Sequence, residues 1–124
     1  MKAYFGSFGF ATLLLLGSSA AYGQQHRVDI DDGGKVIAAH QHMHVKAGHT
    51  VTWRRNTGAA KPWFVAFTDS PCSEGKEFGS SGTKVCTINV ACKAKGDPGC
   101  KAYSYQSATA RGAQLNDPDV IVDP

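Results

Sequence analysis

Val45-Lys46-Ala47-Gly48-His49-Thr50-Val51-Thr52-Trp53 reads as the end of one extended segment, a glycine turn and the start of another. Lys46-Ala47-Gly48 supplies the turn, and Val51-Thr52-Trp53 alternates apolar and polar residues with the period of two that a half-buried strand requires. Upstream, Val36 to Val45 continues the first segment, and Val28-Asp29-Ile30 is a shorter alternating piece closed by the turn cluster Asp31-Asp32-Gly33-Gly34. Downstream, Trp63 to Phe67, Lys84 to Val90, Ala102 to Gln106 and Val120 to Val122 repeat the pattern, with Tyr103 and Tyr105 on one face. Ser70 to Gly82, rich in glycine and serine, reads as loop around Cys72. No stretch beyond the N-terminal segment spaces apolar residues as a helix does. About seven short strands separated by turns predict an all-β sandwich.

Residues 1–23 read as a secretory signal peptide. Met1-Lys2 gives a basic start, the run through Leu13-Leu14-Leu15-Leu16 is short and apolar, and Gly17-Ser18-Ser19-Ala20-Ala21 is a small-residue exit. The run is short for the ~20 residues that span a bilayer, so a retained membrane anchor is the weaker reading. A cut after Gly23 leaves Gln24-Gln25-His26 at the front of a mature domain, residues 24–124; cuts after Ala20 or Ala21 satisfy similar preferences. The expected destination is the periplasm or the medium. About a hundred residues suffice for one domain with one modest core. The chain carries 13 Lys and Arg against 10 Asp and Glu, scattered without a block of either sign, so nothing in the charge points to nucleic acid or a membrane surface.

All four cysteines lie in the exported part, where an even count predicts two disulfides. Zinc ligation is disfavoured, because the spacings between neighbouring cysteines are wider than Cys-x2-4-Cys knuckles. Of three connectivities, Cys72–Cys86 with Cys92–Cys100 is preferred. Gly96-Asp97-Pro98-Gly99 has the turn chemistry to fold Cys92 back on Cys100. Between Cys86 and Cys92 the chain reads as strand, and at ~3.3 Å per residue this would hold them beyond the ~7 Å Cα limit of a bridge.

The segment Val45 to Asn56 resembles the strand-turn-strand V-x-A-G-D-T-V-x-W-x-N of the cupredoxins. Tyr103-Ser104-Tyr105 is similar to the family's G-x-Y-x-Y strand, and Asp119 to Val122 to its closing strand. The match runs in order over residues 26–123, its first motif being the most specific. The resemblance implies a Greek-key β-sandwich, and in the family a type 1 copper held by a His after the W-x-N strand and by Cys, His and usually Met before the last strand. Here Lys61-Pro62-Trp63 offers no His, and Gln106 to Leu115 contains no Cys, His or Met. A type 1 site needs the thiolate, so this chain is expected to have the scaffold without the blue copper.

Four of the five histidines fall within ten residues: His40, His42, His44 and His49. On a strand, His40, His42 and His44 share one outward face, while Ala39, Gln41, Met43 and Val45 turn to the core. Neighbours on that face lie ~7 Å apart and can converge on one ion, but the outer pair lies ~13 Å apart. A complete site therefore needs a bend in the strand or a further ligand, His49 across the Gly48 turn or His26 from the N-terminus. Copper(II) or zinc suits imidazole ligands. A separate reading of His26 places it third in the mature chain, where amine, two amides and imidazole wrap copper(II) or nickel(II) in a plane. Cyclisation of Gln24 abolishes that chelate, and a cut after Gln25 would instead make His26 the first residue, as in copper oxygenases.

The remaining polar residues are weaker candidates. Ser80, Ser81 and Ser107 lack a motif-placed base, and Asp29, Asp31 and Asp32 lack the later glutamate of a calcium loop. Arg54-Arg55 would contact an anion only in a complex. Trp53, Trp63, Phe64, Phe67, Tyr103 and Tyr105 are expected in the core rather than lining a groove. The sequence therefore predicts a non-catalytic exported binding domain with copper or zinc on His40, His42 and His44, the alternatives being a metal-free interaction module or a copper protein using an N-terminal histidine.

Overall fold

The computed structural model describes residues 23–56, 61–109 and 116–124, so the signal peptide expected over 1–23 lies outside the described residues apart from Gly23. The described chain is all-β. Eight strands form, β1 (Gln25–Ile30), β2 (His42–Lys46), β3 (Thr50–Arg55), β4 (Phe64–Phe67), β5 (Glu77–Gly79), β6 (Val85–Thr87), β7 (Ala102–Ala108) and β8 (Asp119–Asp123). They make a three-stranded sheet, β1-β3-β6, and a five-stranded sheet, β2-β8-β7-β4-β5. Both sheets are mixed, because β1 runs parallel to β3 and β2 parallel to β8 while the other pairs are antiparallel. The chain crosses repeatedly from one sheet to the other, so its short strands find most partners far away in sequence. No helix among the described residues is long and apolar enough to cross a membrane.

Alternation places the core between the sheets. Val28 and Ile30 from β1 and Val51 and Trp53 from β3 meet Val65 and Phe67 from β4, Tyr103 and Tyr105 from β7, and Val120 and Val122 from β8, all buried. Trp53 carries the three-stranded sheet into an aromatic cluster of the other one, with ring centroids 5.0 Å from Phe78, 5.7 Å from Tyr105 and 6.1 Å from Phe67. The sequence-predicted aromatics Trp53, Trp63, Phe67, Tyr103 and Tyr105 are thus core residues, while Phe64 is only partly buried.

Three sequence expectations need correction. Val36 to Val45 is not one extended segment: Val36 makes a single bridge to Ile30, Ala38–His40 is a turn of 3-10 helix, and the strand begins only at His42. Ile37 N–H donates to the Asp29 carbonyl and His40 N–H to that of Ile37, so contacts with β1 bend the chain away from the extended path. Lys84 to Val90 contributes three strand residues rather than seven. Finally, the loop read at Ser70 to Gly82 contains β5, whose Phe78 is buried and whose backbone pairs with β4.

Both expected disulfides form, Cys72–Cys86 and Cys92–Cys100, and among the described residues no cysteine is free. Gly99 explains the reversal between the second pair, since a Cβ there would lie 2.6 Å from the Ala91 carbonyl oxygen. Arg54 is not a spare anion contact: it faces Asp29 across the β1–β3 ladder at 3.7 Å, and Arg27, two residues back on β1, reaches the same carboxylate at 3.2 Å. Arg55 is buried and donates to the carbonyls of Asp31 and Asp32, holding the turn that follows β1. The Asp31 carboxylate accepts N–H groups of Gly33 and Lys35 in that turn, which accounts for it without calcium. Ser80 Oγ accepts the N–H of Trp63, and Ser107 Oγ donates to Asn116 Oδ1, so both hydroxyls serve the fold.

Beside the first disulfide, Glu74 accepts the backbone N–H and the hydroxyl of Thr87, both at 2.7 Å. Burial raises the carboxyl's pKa, but these donors outweigh it and hold the group below its ordinary value of 4.5. A depressed carboxyl contributes stability above its unfolded pKa that is lost as pH falls through the folded value. Because Glu74 is mostly exposed, the effect is expected at no more than about 1 kcal/mol. Urea unfolding at pH 6 and pH 3 checks it: Glu74→Gln should narrow the stability difference between the two pH values, and an unchanged difference refutes the assignment.

Candidate functional site

Strand β2 is an edge of the five-stranded sheet, and its outward residues His42 and His44 keep side-chain exposures of 68% and 63%. Met43 and Val45 turn inward against the core, as the alternation predicts. Parallel pairing with β8 sets His42 opposite Asp119 and Lys46 opposite Asp123. Each imidazole reaches a carboxylate of the neighbouring strand, His42 Nδ1 lying 3.0 Å from Asp119 Oδ1 and His44 Nδ1 2.8 Å from Asp123 Oδ2. A carboxylate only accepts, so Nδ1 carries a proton in both rings, and in the neutral form of each ring the lone pair is on Nε2. Asp119 and Asp123 were missed in the sequence, where they are merely the polar ends of a short apolar strand.

His40 does not belong to this row. It lies in the 3-10 turn, and its Nδ1 accepts the backbone N–H of Asp29 at 2.9 Å. That bond puts the ring proton on Nε2, the tautomer opposite to that of His42 and His44. Its accepting nitrogen is committed to holding β1 against the turn, which corrects the expectation of three imidazoles in one row.

His26 and His49, the two ligands expected to complete the row, instead meet each other. His26 Nε2 lies 2.9 Å from His49 Nδ1, bringing β1 against the turn between β2 and β3. His49 Nδ1 also accepts the Lys46 N–H at 3.3 Å, so the proton between the rings belongs to His26. Burial, then the neighbouring His49, pushes the His26 imidazole below its ordinary pKa. The extended backbone of Gln25–Ile30, laddered along β3, also differs from the tight wrap of a planar chelate through His26.

Among the described residues no three of His, Cys, Asp and Glu converge on one point in a way that would enclose a metal ion. What the fold does assemble is two pairs of imidazoles, one on the β2 edge backed by carboxylates and one joining β1 to the β2–β3 turn. Comparison with protein-family models, with curated proteins and with solved structures gives no match. The chemistry of these side chains therefore carries the functional argument.

Proposed function

We propose that this chain is an exported, cupredoxin-like binding domain that takes a cupric or zinc ion on the exposed imidazoles of His42 and His44, without type 1 copper and without catalysis. The observation that carries this reading is the carboxylate behind each ring. A metal-binding histidine typically donates its other N–H to a carboxylate, which fixes the tautomer, orients the ring and raises the basicity of the ligating nitrogen. Asp119 and Asp123 stand in that relation to His42 and His44. Two Nε2 atoms from alternate residues of one strand face can converge on one ion, with water filling the remaining positions.

The cupredoxin-like part of the reading is supported by the motif at Val45 to Asn56 and by two mixed sheets that share a core. Export is supported by the N-terminal pattern and by two disulfides in a small domain.

Calorimetric titration of the mature protein with cupric and zinc ions tests the proposal. His42→Ala and His44→Ala should each lower affinity at the β2 edge by at least about tenfold, and Asp119→Asn or Asp123→Asn by roughly tenfold, in the range expected for orienting carboxylates. Unchanged affinity in both histidine variants would sink the proposal.

A further inference from the structure

We propose that His26 and His49 form a second metal site, separate from the β2 row, which takes one cupric ion between His26 Nε2 and His49 Nδ1. The two nitrogens are 2.9 Å apart and the ring centroids 5.1 Å apart. The centroid separation exceeds the N···N distance by nearly the full width of one imidazole ring, and the two planes are tilted by only 27°. The rings therefore meet end to end, with both in-plane lone-pair directions aimed at the same gap. A single proton holds that gap closed now. When His26 shifts its proton to Nδ1, two neutral imidazole lone pairs face one point, and neutral imidazole is the ligating form.

An ion bound at about 2.0 Å from each nitrogen needs them at most about 4 Å apart if they lie opposite each other, and about 2.9 Å apart if they lie at right angles. The observed separation already equals the right-angle value, but such an ion lies to one side of the N···N line and both rings must turn toward it by about half a right angle, whereas opposed ligation keeps their present aim and requires the nitrogens to part by about 1 Å. Copper(II) prefers tetragonal nitrogen and oxygen coordination, and water can occupy the other positions.

Local backbone supports small adjustments of this kind. His49 follows Gly48, which has φ +89°, in the turn leaving β2, and His26 lies on β1, an edge strand of its sheet. At the start of the mature chain Gln24 O accepts the N–H of Thr50, next to His49, and this ties the N-terminal end of β1 to the turn that carries the second imidazole. His49 Nδ1 also accepts the Lys46 N–H, at the longer distance of 3.3 Å, so the ion competes with that N–H as well as with the proton of His26, and binding exchanges both hydrogen bonds for the metal.

The experiment uses the mature protein carrying His42→Ala and His44→Ala together, titrated with cupric ion and followed by the nitrogen hyperfine pattern in electron paramagnetic resonance. One cupric ion with two coupled imidazole nitrogens is expected. His26→Ala and His49→Gln, each added to that background, should lower its affinity at least about tenfold and remove one imidazole from the pattern, with the far-UV spectrum unchanged. His49→Gln separates this site from an N-terminal chelate, because such a chelate needs His26 but not His49. Absence of cupric binding in the double variant, or affinity unaffected by His49→Gln, overturns the inference. The β2 site is judged independently: if His42→Ala and His44→Ala remove no bound ion from the wild-type protein, the proposed function fails while the His26–His49 site stands.

Discussion

Trp53→Ala is expected to lower the unfolding free energy by about 3–5 kcal/mol, the range for truncating a buried tryptophan. The indole is almost fully buried and is the main side chain of the three-stranded sheet that reaches the aromatic cluster of β4, β5 and β7. Its removal takes contacts from Phe67, Phe78 and Tyr105 at once, and these rings also pack on one another, Phe67 lying 4.9 Å from Tyr105 between centroids. Simple collapse cannot refill the space, because each ring is fixed to a different strand. A domain of this size is stable by only about 5–15 kcal/mol, so the loss is a large share of the total. At about 4–8 °C per kcal/mol, the melting temperature should fall by at least about 12 °C. Trp53→Phe, which keeps a ring, should lose less than half as much. Near-UV circular dichroism during thermal unfolding measures both, and a drop below about 1 kcal/mol for the alanine variant would mean that the two sheets are not joined through this residue.

The central place of Trp53 was legible because period-two alternation on β3 is a local property, and it survives any arrangement of the sheets. The same rule put His42 and His44 outside and Val45 inside. It failed two residues earlier, at His40, because the 3-10 turn there is held by bonds to Asp29, on a strand that the sequence cannot place beside it. Strand β5 was illegible for a related reason: Glu77-Phe78-Gly79 has one apolar residue among glycines and serines, and it is a strand because β4 offers it an edge. The carboxylates behind the imidazoles come from residues 77 and 79 positions away, through a parallel pairing that leaves no local trace. From sequence alone, His26 and His49 each read as an extra ligand for the row. That they bond to each other follows from the β1–β3 register, which sets His26 beside Val51.

The disulfides offered a sequence signal of a different kind, since four cysteines allow only three pairings, and their removal should be the second large effect. Losing Cys72–Cys86 by the double change to alanine is expected to cost about 3 kcal/mol, because the bridge closes a loop of 14 residues in the unfolded chain; Cys92–Cys100, across 8, should cost about 2.5 kcal/mol. The first bridge has more to hold. It fixes β6, a strand of three residues, to the segment that leads into β5, and the surrounding bonds are short-range additions to it: Ser73 N–H to Thr87 O, Asn89 N–H to Pro71 O, and the Glu74 carboxylate on Thr87. Cys86 is also fully buried beside Val51, its partner on β3, so the alanine pair leaves a small void as well as a longer free loop. Together the two bridges supply about 5–6 kcal/mol, comparable with the lower end of whole-domain stability. The fully reduced wild-type chain should therefore sit close to its unfolding midpoint at 25 °C, folded securely only where thiols are oxidised. Urea titration with and without reductant measures this directly. A reduced protein that unfolds within about 1 kcal/mol of the oxidised one would show that the strands hold without their covalent ties, and would remove one physical reason for expecting the domain in an oxidising compartment.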